Sequence, residues 1–241
     1  MQFIQEKSKE RVEVKMKQKG KLIVFEGASD GIGKSTQIEL LRKRLEAEGN
    51  VVVNYHFPSY GTYHGALVEE YLNGNLGSIE SLSPYLINSL YAVDRAIVWN
   101  KHLREQWQQG KVILLDRYTT SSLIYQSALI TDIEEKKAFI DYVCEFEYEK
   151  LGIGKPDDVI FLHAPFDLVT EMRNARRNNE GVNNDIHERD IEFMKRVYDS
   201  AMFVADHLGW SQVKCNDDNK MRSIADIHND VYELVKKKLD K

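Results

Sequence analysis

Short apolar runs alternate along the chain with longer stretches in which apolar residues recur every three or four positions. Leu22-Ile23-Val24-Phe25 has the continuous apolarity of a buried strand. From 34 to 48 the period changes, and Ile38, Leu41 and Leu45 fall on one helical face. Gly49-Asn50 stops that helix, and Val51-Val52-Val53 begins a second strand. Strand, helix and strand in this order form a βαβ unit, which requires parallel strands and a right-handed crossover. Further strands are predicted at Val112–Leu115, Val159–Leu162 and Ser211–Lys214. Helical patterns cover 64–73, 84–109, 119–129, 134–150, 166–178 and 188–207. A last helix carries Ile224, Ile227, Val231, Leu234 and Leu239 on its apolar side. The expected fold is α/β: a five-stranded parallel sheet with helices on both faces.

Residues 1–20 stand apart. They are polar, hold six basic and three acidic residues, and precede the first strand. They are read as a flexible extension, with a docking helix as the alternative, and 21–241 as a single domain. No internal repeat or second linker divides that domain.

The first strand leads into Glu26-Gly27-Ala28-Ser29-Asp30-Gly31-Ile32-Gly33-Lys34-Ser35-Thr36 and then a helix. A glycine-rich turn at a helix start exposes backbone N–H groups and the positive end of the helix dipole, which makes an anion cradle. Lys34 is placed to reach a β/γ-phosphate, and the Ser35 hydroxyl to ligate Mg²⁺. This is the P-loop pattern with one departure. Ala28 stands where the strict G-x-x-x-x-G-K-[ST] motif has its first glycine, and Gly27 lies one residue further away. The phosphate-binding set is therefore Gly27, Ser29, Asp30, Gly31, Ile32, Gly33, Lys34, Ser35 and Thr36, and the fold a P-loop NTPase fold.

Val112-Ile113-Leu114-Leu115-Asp116-Arg117 is the second informative segment. Four apolar residues ending in Asp form a Walker-B-like strand, which brings a carboxylate to the sheet edge where ligands bind in open α/β folds. Ser35 and Asp116 are the metal candidates. Asn100-Lys101-His102-Leu103 lacks the Asp of the N-K-x-D motif of regulatory GTPases and lies in a helical pattern. The modest size favours a small phosphotransferase.

Phe25-Glu26-Gly27, Asp30-Gly31-Ile32-Gly33-Lys34-Ser35-Thr36-Gln37, Tyr91-Ala92-Val93-Asp94-Arg95 and Leu114-Leu115-Asp116-Arg117-Tyr118 followed by Tyr125-Gln126 together resemble thymidylate kinases of the nucleoside-monophosphate kinase superfamily. The likeness runs over roughly residues 21–235. It implies MgATP-dependent phosphorylation of dTMP to dTDP, with the following roles. Asp30 approaches the acceptor's 3′-hydroxyl. Phe57 and Pro58 line the acceptor site. Tyr91 stacks on thymine, and Arg95 hydrogen-bonds a base carbonyl. Arg117 contacts the acceptor phosphate. Tyr125 occupies the room a 2′-hydroxyl would need, with Gln126 beside it. Ser121 offers a hydroxyl nearby. Relatives often carry an Arg after Phe-Pro, where this chain has Ser59-Tyr60.

Arg173, Arg176 and Arg177 precede a polar Gly/Asn-rich stretch, which predicts a lid over about 178–188. The P-loop has no arginine, so the resemblance implies that a lid arginine neutralises charge on the transferring group. Many relatives read Asp-Arg-x-Glu where this chain reads Asp185-Ile186-His187-Glu188. Asp185, His187 and Glu188 contain no i,i+4 pair and are not expected to bind a transition metal. The alternatives are another deoxynucleotide or nucleoside kinase, or a nucleotide-binding regulatory protein that lost transfer.

Composition sharpens this picture in two ways. The net charge is −5, but without the first twenty residues 27 basic face 35 acidic residues. So acidic a domain argues against a nucleic-acid polymer as partner and requires the cations to converge on one cleft. The expected partners are the mononucleotides ATP and dTMP. Two cysteines, no membrane-spanning run and no apolar leader give the expectation of a cytoplasmic protein. The resemblance adds a homodimer.

Overall fold

The computed structural model describes residues 19–29, 31–171, 186–187 and 190–240. Five parallel strands make the main sheet: β1 (Leu22–Gly27), β2 (Val52–His56), β3 (Val112–Asp116), β4 (Asp158–His163) and β5 (Ser211–Lys214). Their spatial order is β2-β3-β1-β4-β5. The chain moves outward from β1 to β2, returns through β3, and crosses β1 to reach β4. That reversal leaves a crevice at the C-terminal ends of β1 and β3, where open α/β sheets bind ligands.

All five strands lie where the apolar runs predict them. Alternation along each strand then sorts side chains between two cores. Leu22, Val24, Ile113, Leu115 and Phe161 face one side, and Ile23, Phe25, Leu114, Ile160 and Leu162 the other. The second side is covered by α1 (Lys34–Ala47) and α9 (Ile224–Leu239). On α1, Leu41 and Leu45 are fully buried. Truncating either to Ala would cost about 2–5 kcal/mol.

The first side holds the helices that build the site. They are α2 (Ala66–Leu72), α3 (Pro84–Val98), α4 (Arg104–Gln108), α5 (Thr119–Tyr125), α6 (Ile133–Cys144) and α8 (Ile191–His207). Residues 166–171 are helical and form α7 as far as it is described. Ser83 caps α3 by accepting from the Tyr85 N–H at 3.3 Å, with Pro84 in the first turn.

Two helices expected to be continuous are not. The 84–109 pattern is broken by a π-helical turn at Trp99–Leu103, and the 134–150 pattern ends in one at Glu145–Lys150. Such turns insert a residue and re-aim the side chains around them. A small hairpin, β6 (Asn216–Asp217) and β7 (Lys220–Met221), was not expected from the pattern. The N-terminal extension up to residue 18 lies outside the described residues, as does the lid except for Ile186 and His187.

Candidate active site

β1 ends in Glu26-Gly27 and α1 begins at Lys34, so the phosphate loop joins a buried strand directly to a helix N-terminus. The loop's shape depends on its glycines. Gly33 has φ 104°, a conformation side chains disfavour. A Cβ on Gly27 would meet Ile32 Cγ2 at 2.7 Å. Gly31, Gly33, Lys34, Ser35 and Thr36 line an open cleft of about 520 Å³ together with His56, Asp116 and Arg117. The other described loop residues of the expected set stand behind it. Ile32 is buried in the α1 core, and the Ser29 hydroxyl turns back to the Ala28 carbonyl at 2.8 Å. Their side chains shape the cradle, and only their backbones can face a phosphate. Asp30 lies outside the described residues.

Parallel pairing sets Asp116 beside Phe25 of β1 and His56 of β2. The Ser35 hydroxyl donates to Asp116 Oδ2 at 3.2 Å, and His56 Nδ1 lies 3.3 Å from the same oxygen. Burial alone would raise the Asp116 pKa. The His56 contact and the charges of Lys34 and Arg117 outweigh it and hold the carboxyl below its ordinary range. Asp116 Oδ1 is buried with no hydrogen-bond partner among the described residues. An orphaned carboxylate oxygen beside a serine hydroxyl fits a hydrated divalent cation carried mainly by phosphates. Among the described residues no cluster of three or more His, Cys, Asp or Glu could hold a metal alone.

Arg117 adopts φ 67°, in the left-handed region that costs most residues energy. Its backbone N–H donates to the Phe25 carbonyl at 3.1 Å, its Nη1 to the Ser121 hydroxyl at 3.3 Å. Its Nη1 also lies 3.8 Å from Glu26 Oε2, too far for a hydrogen bond. Glu26 is fully buried and accepts from Thr120, at 3.0 Å, and from Ser121. The loop strand and α5 thus share one carboxylate that steadies the Arg117 charge.

Arg117 also lines a second cavity. Here the structure brings together Phe57, Pro58, Tyr91, Arg95, Ser121, Tyr125 and Gln126, every described residue expected at the acceptor site. Gln126 Oε1 is buried with no partner among the described residues. Tyr60, Leu72, Tyr118, Ser122, His187 and Met194 complete the wall. Arg173, Arg176 and Arg177, the expected lid cations, lie outside the described residues.

Arg95 is 1% exposed, and its fork is fixed. Nε donates to Glu147 Oε2 at 2.7 Å and Nη2 to Oε1 at 2.6 Å. Nη2 also reaches Ser122 Oγ at 2.9 Å, and Nη1 the Tyr118 carbonyl at 3.3 Å. Burial opposes the guanidinium charge, but Glu147 overcomes it and raises the pKa. A guanidinium has five N–H groups, so Nη1 keeps a second hydrogen that could serve a ligand. Glu147 also accepts from the Thr119 hydroxyl at 2.8 Å.

Sequence reasoning missed Glu147 because it lies in the π-turn and 52 positions from Arg95. A usable signal existed. Glu147 continues the buried stripe of Phe139, Ile140 and Val143, where an apolar residue belongs. Asp94 lies within the Tyr91–Arg95 segment of α3 but was given no role, since its partners Ser59 and His64 come from a distant loop. It is 1% exposed, accepts from the Ser59 backbone N–H at 2.9 Å, and lies 2.6 Å from His64 Nδ1. This buried pair holds the Phe57-Pro58-Ser59 segment, whose Phe57-Pro58 peptide is cis, against α3.

The comparisons agree with this geometry. A family model described as thymidylate kinase matches residues 25–231. The thymidylate kinase of Mycobacterium tuberculosis is 34% identical over 179 residues, covering 73% of this chain and 81% of that protein. A probable thymidylate kinase of Thermococcus gammatolerans is 30% identical over 224 residues, covering 91% of this chain and 98% of that one. A solved structure of the Candida albicans thymidylate kinase has a TM-score of 0.66 at 22% identity, covers 92% of this chain and 94% of that chain, and shares the fold. A P-loop, an Asp-Arg pair at the crevice and an adjoining apolar cavity thus occur within a match spanning most of the sequence, and the chain belongs to the thymidylate kinase family, phosphotransferases that act on dTMP.

Proposed function

We propose that the two clefts hold the two substrates of one transfer, ATP over the P-loop and dTMP in the aromatic cavity. The observation that carries this reading is that both clefts are lined by Arg117. A cation shared by both sites stands where an acceptor phosphate would meet the γ-phosphate. That phosphate is already ionised near neutral pH, so no strong base is needed, and alignment with charge neutralisation carries the reaction.

Lys34 and the loop N–H groups hold the donor phosphates. Arg117, steadied by Glu26, holds the acceptor phosphate. Tyr91 and Arg95 read the pyrimidine, whose face suits stacking and whose carbonyl suits the remaining Nη1 hydrogen. Tyr125 fills the space beside the sugar, and Asp30 approaches its 3′-hydroxyl. Ser35 and Asp116 hold Mg²⁺, which when bound neutralises charge on the phosphates. An arginine among Arg173, Arg176 and Arg177 covers the transferring group.

A homodimer is supported by α3, where Leu86 and Val93 are about half exposed, at 50% and 51%, two turns apart. Both cysteines are free, and burial pushes each thiol up to about 11, which suits a cytoplasmic enzyme. No helix among the described residues is long and apolar enough to cross a membrane.

Incubation with MgATP and dTMP tests the reading. ADP and dTDP should form in equal amounts. ATP breakdown without dTDP would place the acceptor elsewhere.

A further inference from the structure

His187 is assigned no role by the motifs, yet it is buried in the wall of the acceptor cavity, at 5% exposure. Its backbone is held on both sides. The Ile186 N–H donates to the Leu72 carbonyl at 3.0 Å, and the Asp190 N–H to the His187 carbonyl at 3.2 Å. Ile186 itself packs against both apolar clusters that flank the cavity.

The ring is held as firmly. His187 Nε2 and the Tyr71 hydroxyl share a hydrogen bond of 2.8 Å, and Tyr71 is fully buried on α2. Buried polar groups need such partners, and here the partner also fixes the plane of the imidazole. That plane stacks on Tyr125, with centroids 5.4 Å apart and planes 28° apart. Phe193 closes on the imidazole at 5.2 Å. Arg117 lies over the Tyr125 ring at 5.5 Å, so Tyr125 is set by a cation and by the imidazole together. Tyr71 meets Tyr91 edge-on at 6.3 Å. Tyr91, Tyr71, His187 and Tyr125 therefore form a continuous run of rings, of which Tyr91, His187 and Tyr125 line the cavity and Tyr71 stands behind them.

The geometry points to His187 as a positioning residue that fixes Tyr125 and so sets the preference for a deoxyribose over a ribose acceptor. This rests on the reading of Tyr125 as the residue beside the sugar. An aliphatic side chain would fill the same space without orienting its neighbour. The histidine carries orientation from α2 to α5, and it does so from the segment that follows the arginine-rich stretch.

The test compares kcat/KM for dTMP with that for its ribose counterpart, ribothymidine monophosphate, which differs only by the 2′-hydroxyl. His187→Phe keeps a ring and loses the hydrogen bond, and Tyr71→Phe loses it from the other side. Each variant should lower the deoxy-over-ribo ratio about tenfold, the scale of a buried polar group left without its partner. The KM for ATP should stay within about twofold, since neither residue lines the phosphate cleft. The double variant should be no worse than either single one, because both remove the same bond. His187→Gln, whose amide can donate to or accept from the Tyr71 hydroxyl, should recover part of the ratio. An unchanged ratio in both single variants, with only a lower melting temperature, would overturn the inference and leave His187 a packing residue. If Tyr125→Gly erases a preference that His187→Phe leaves intact, the inference fails alone. If the native enzyme shows no preference for the deoxy acceptor, the reading of Tyr125 fails and the inference falls with it.

Discussion

The phosphate cleft and the acceptor cavity meet at Arg117 but are built in opposite ways. The cleft comes mainly from one contiguous turn, with His56, Asp116 and Arg117 from two neighbouring strand ends beside it. Its proposed phosphate-binding groups are the loop N–H groups with the Lys34 side chain, and its shape comes from glycine conformations. The cavity is assembled from residues spread between Phe57 and Met194, and its polar side chains are fixed by partners far along the chain. Asp94 lies 35 positions from Ser59, Glu147 52 from Arg95, and His187 116 from Tyr71. A site made of backbone depends on local conformation. One made of side chains depends on the whole fold and couples binding to stability.

That contrast gives a graded set of expectations. The largest effect belongs to the cavity. Arg95→Leu strands Glu147 without its partner in the core and should cost about 3–5 kcal/mol in urea unfolding. Replacing both residues with Leu should recover most of that loss, since a buried pair swapped for apolar groups is often neutral. If the double variant is as unstable as the single, the ion pair is not the source.

Lys34→Ala comes next, with turnover lower by at least about a hundredfold, the scale of losing one preorganised electrostatic contact. Its loss of stability should be smaller than that of Arg95→Leu. A large collapse in stability would mean that the cleft shares the cavity's construction. Tyr125→Gly should then raise relative use of ribonucleotide acceptors about tenfold, the scale of a changed pocket contact, with ATP handling unchanged. The smallest effect is expected for Gly33→Ala. A Cβ there meets no atom of the described residues within 4 Å, so the cost is conformational, about 1 kcal/mol in unfolding measurements.

The same contrast explains what could be read from the sequence. All five strands and the P-loop were legible because their signals are contiguous: an apolar run, a period change, a glycine-rich turn. Parallel pairing followed from the helices between strands. The order β2-β3-β1-β4-β5 did not, because no local signal fixes which strands become neighbours. The residues proposed for the acceptor came from family resemblance, and the structure gathers the described ones around one cavity. From helical spacing alone, Tyr91 and Arg95 could equally be a core ring and a surface cation. Their buried supports were not anticipated. Glu147 and Asp94 are charges on apolar stripes, a pattern that can be looked for. The π-turn that carries Glu147 has no such mark. His187 was considered only as a metal ligand, and its role depends on Tyr71, which no spacing rule connects to it.

The acceptor assignment is the central claim, and a panel of acceptors tests it most directly. Steady-state kcat/KM is measured with MgATP against dTMP, dUMP, UMP, CMP and GMP. The assignment predicts the highest value for dTMP, with UMP below dUMP. Equal values across the panel, or a purine or ribonucleotide preferred to dTMP, would contradict it.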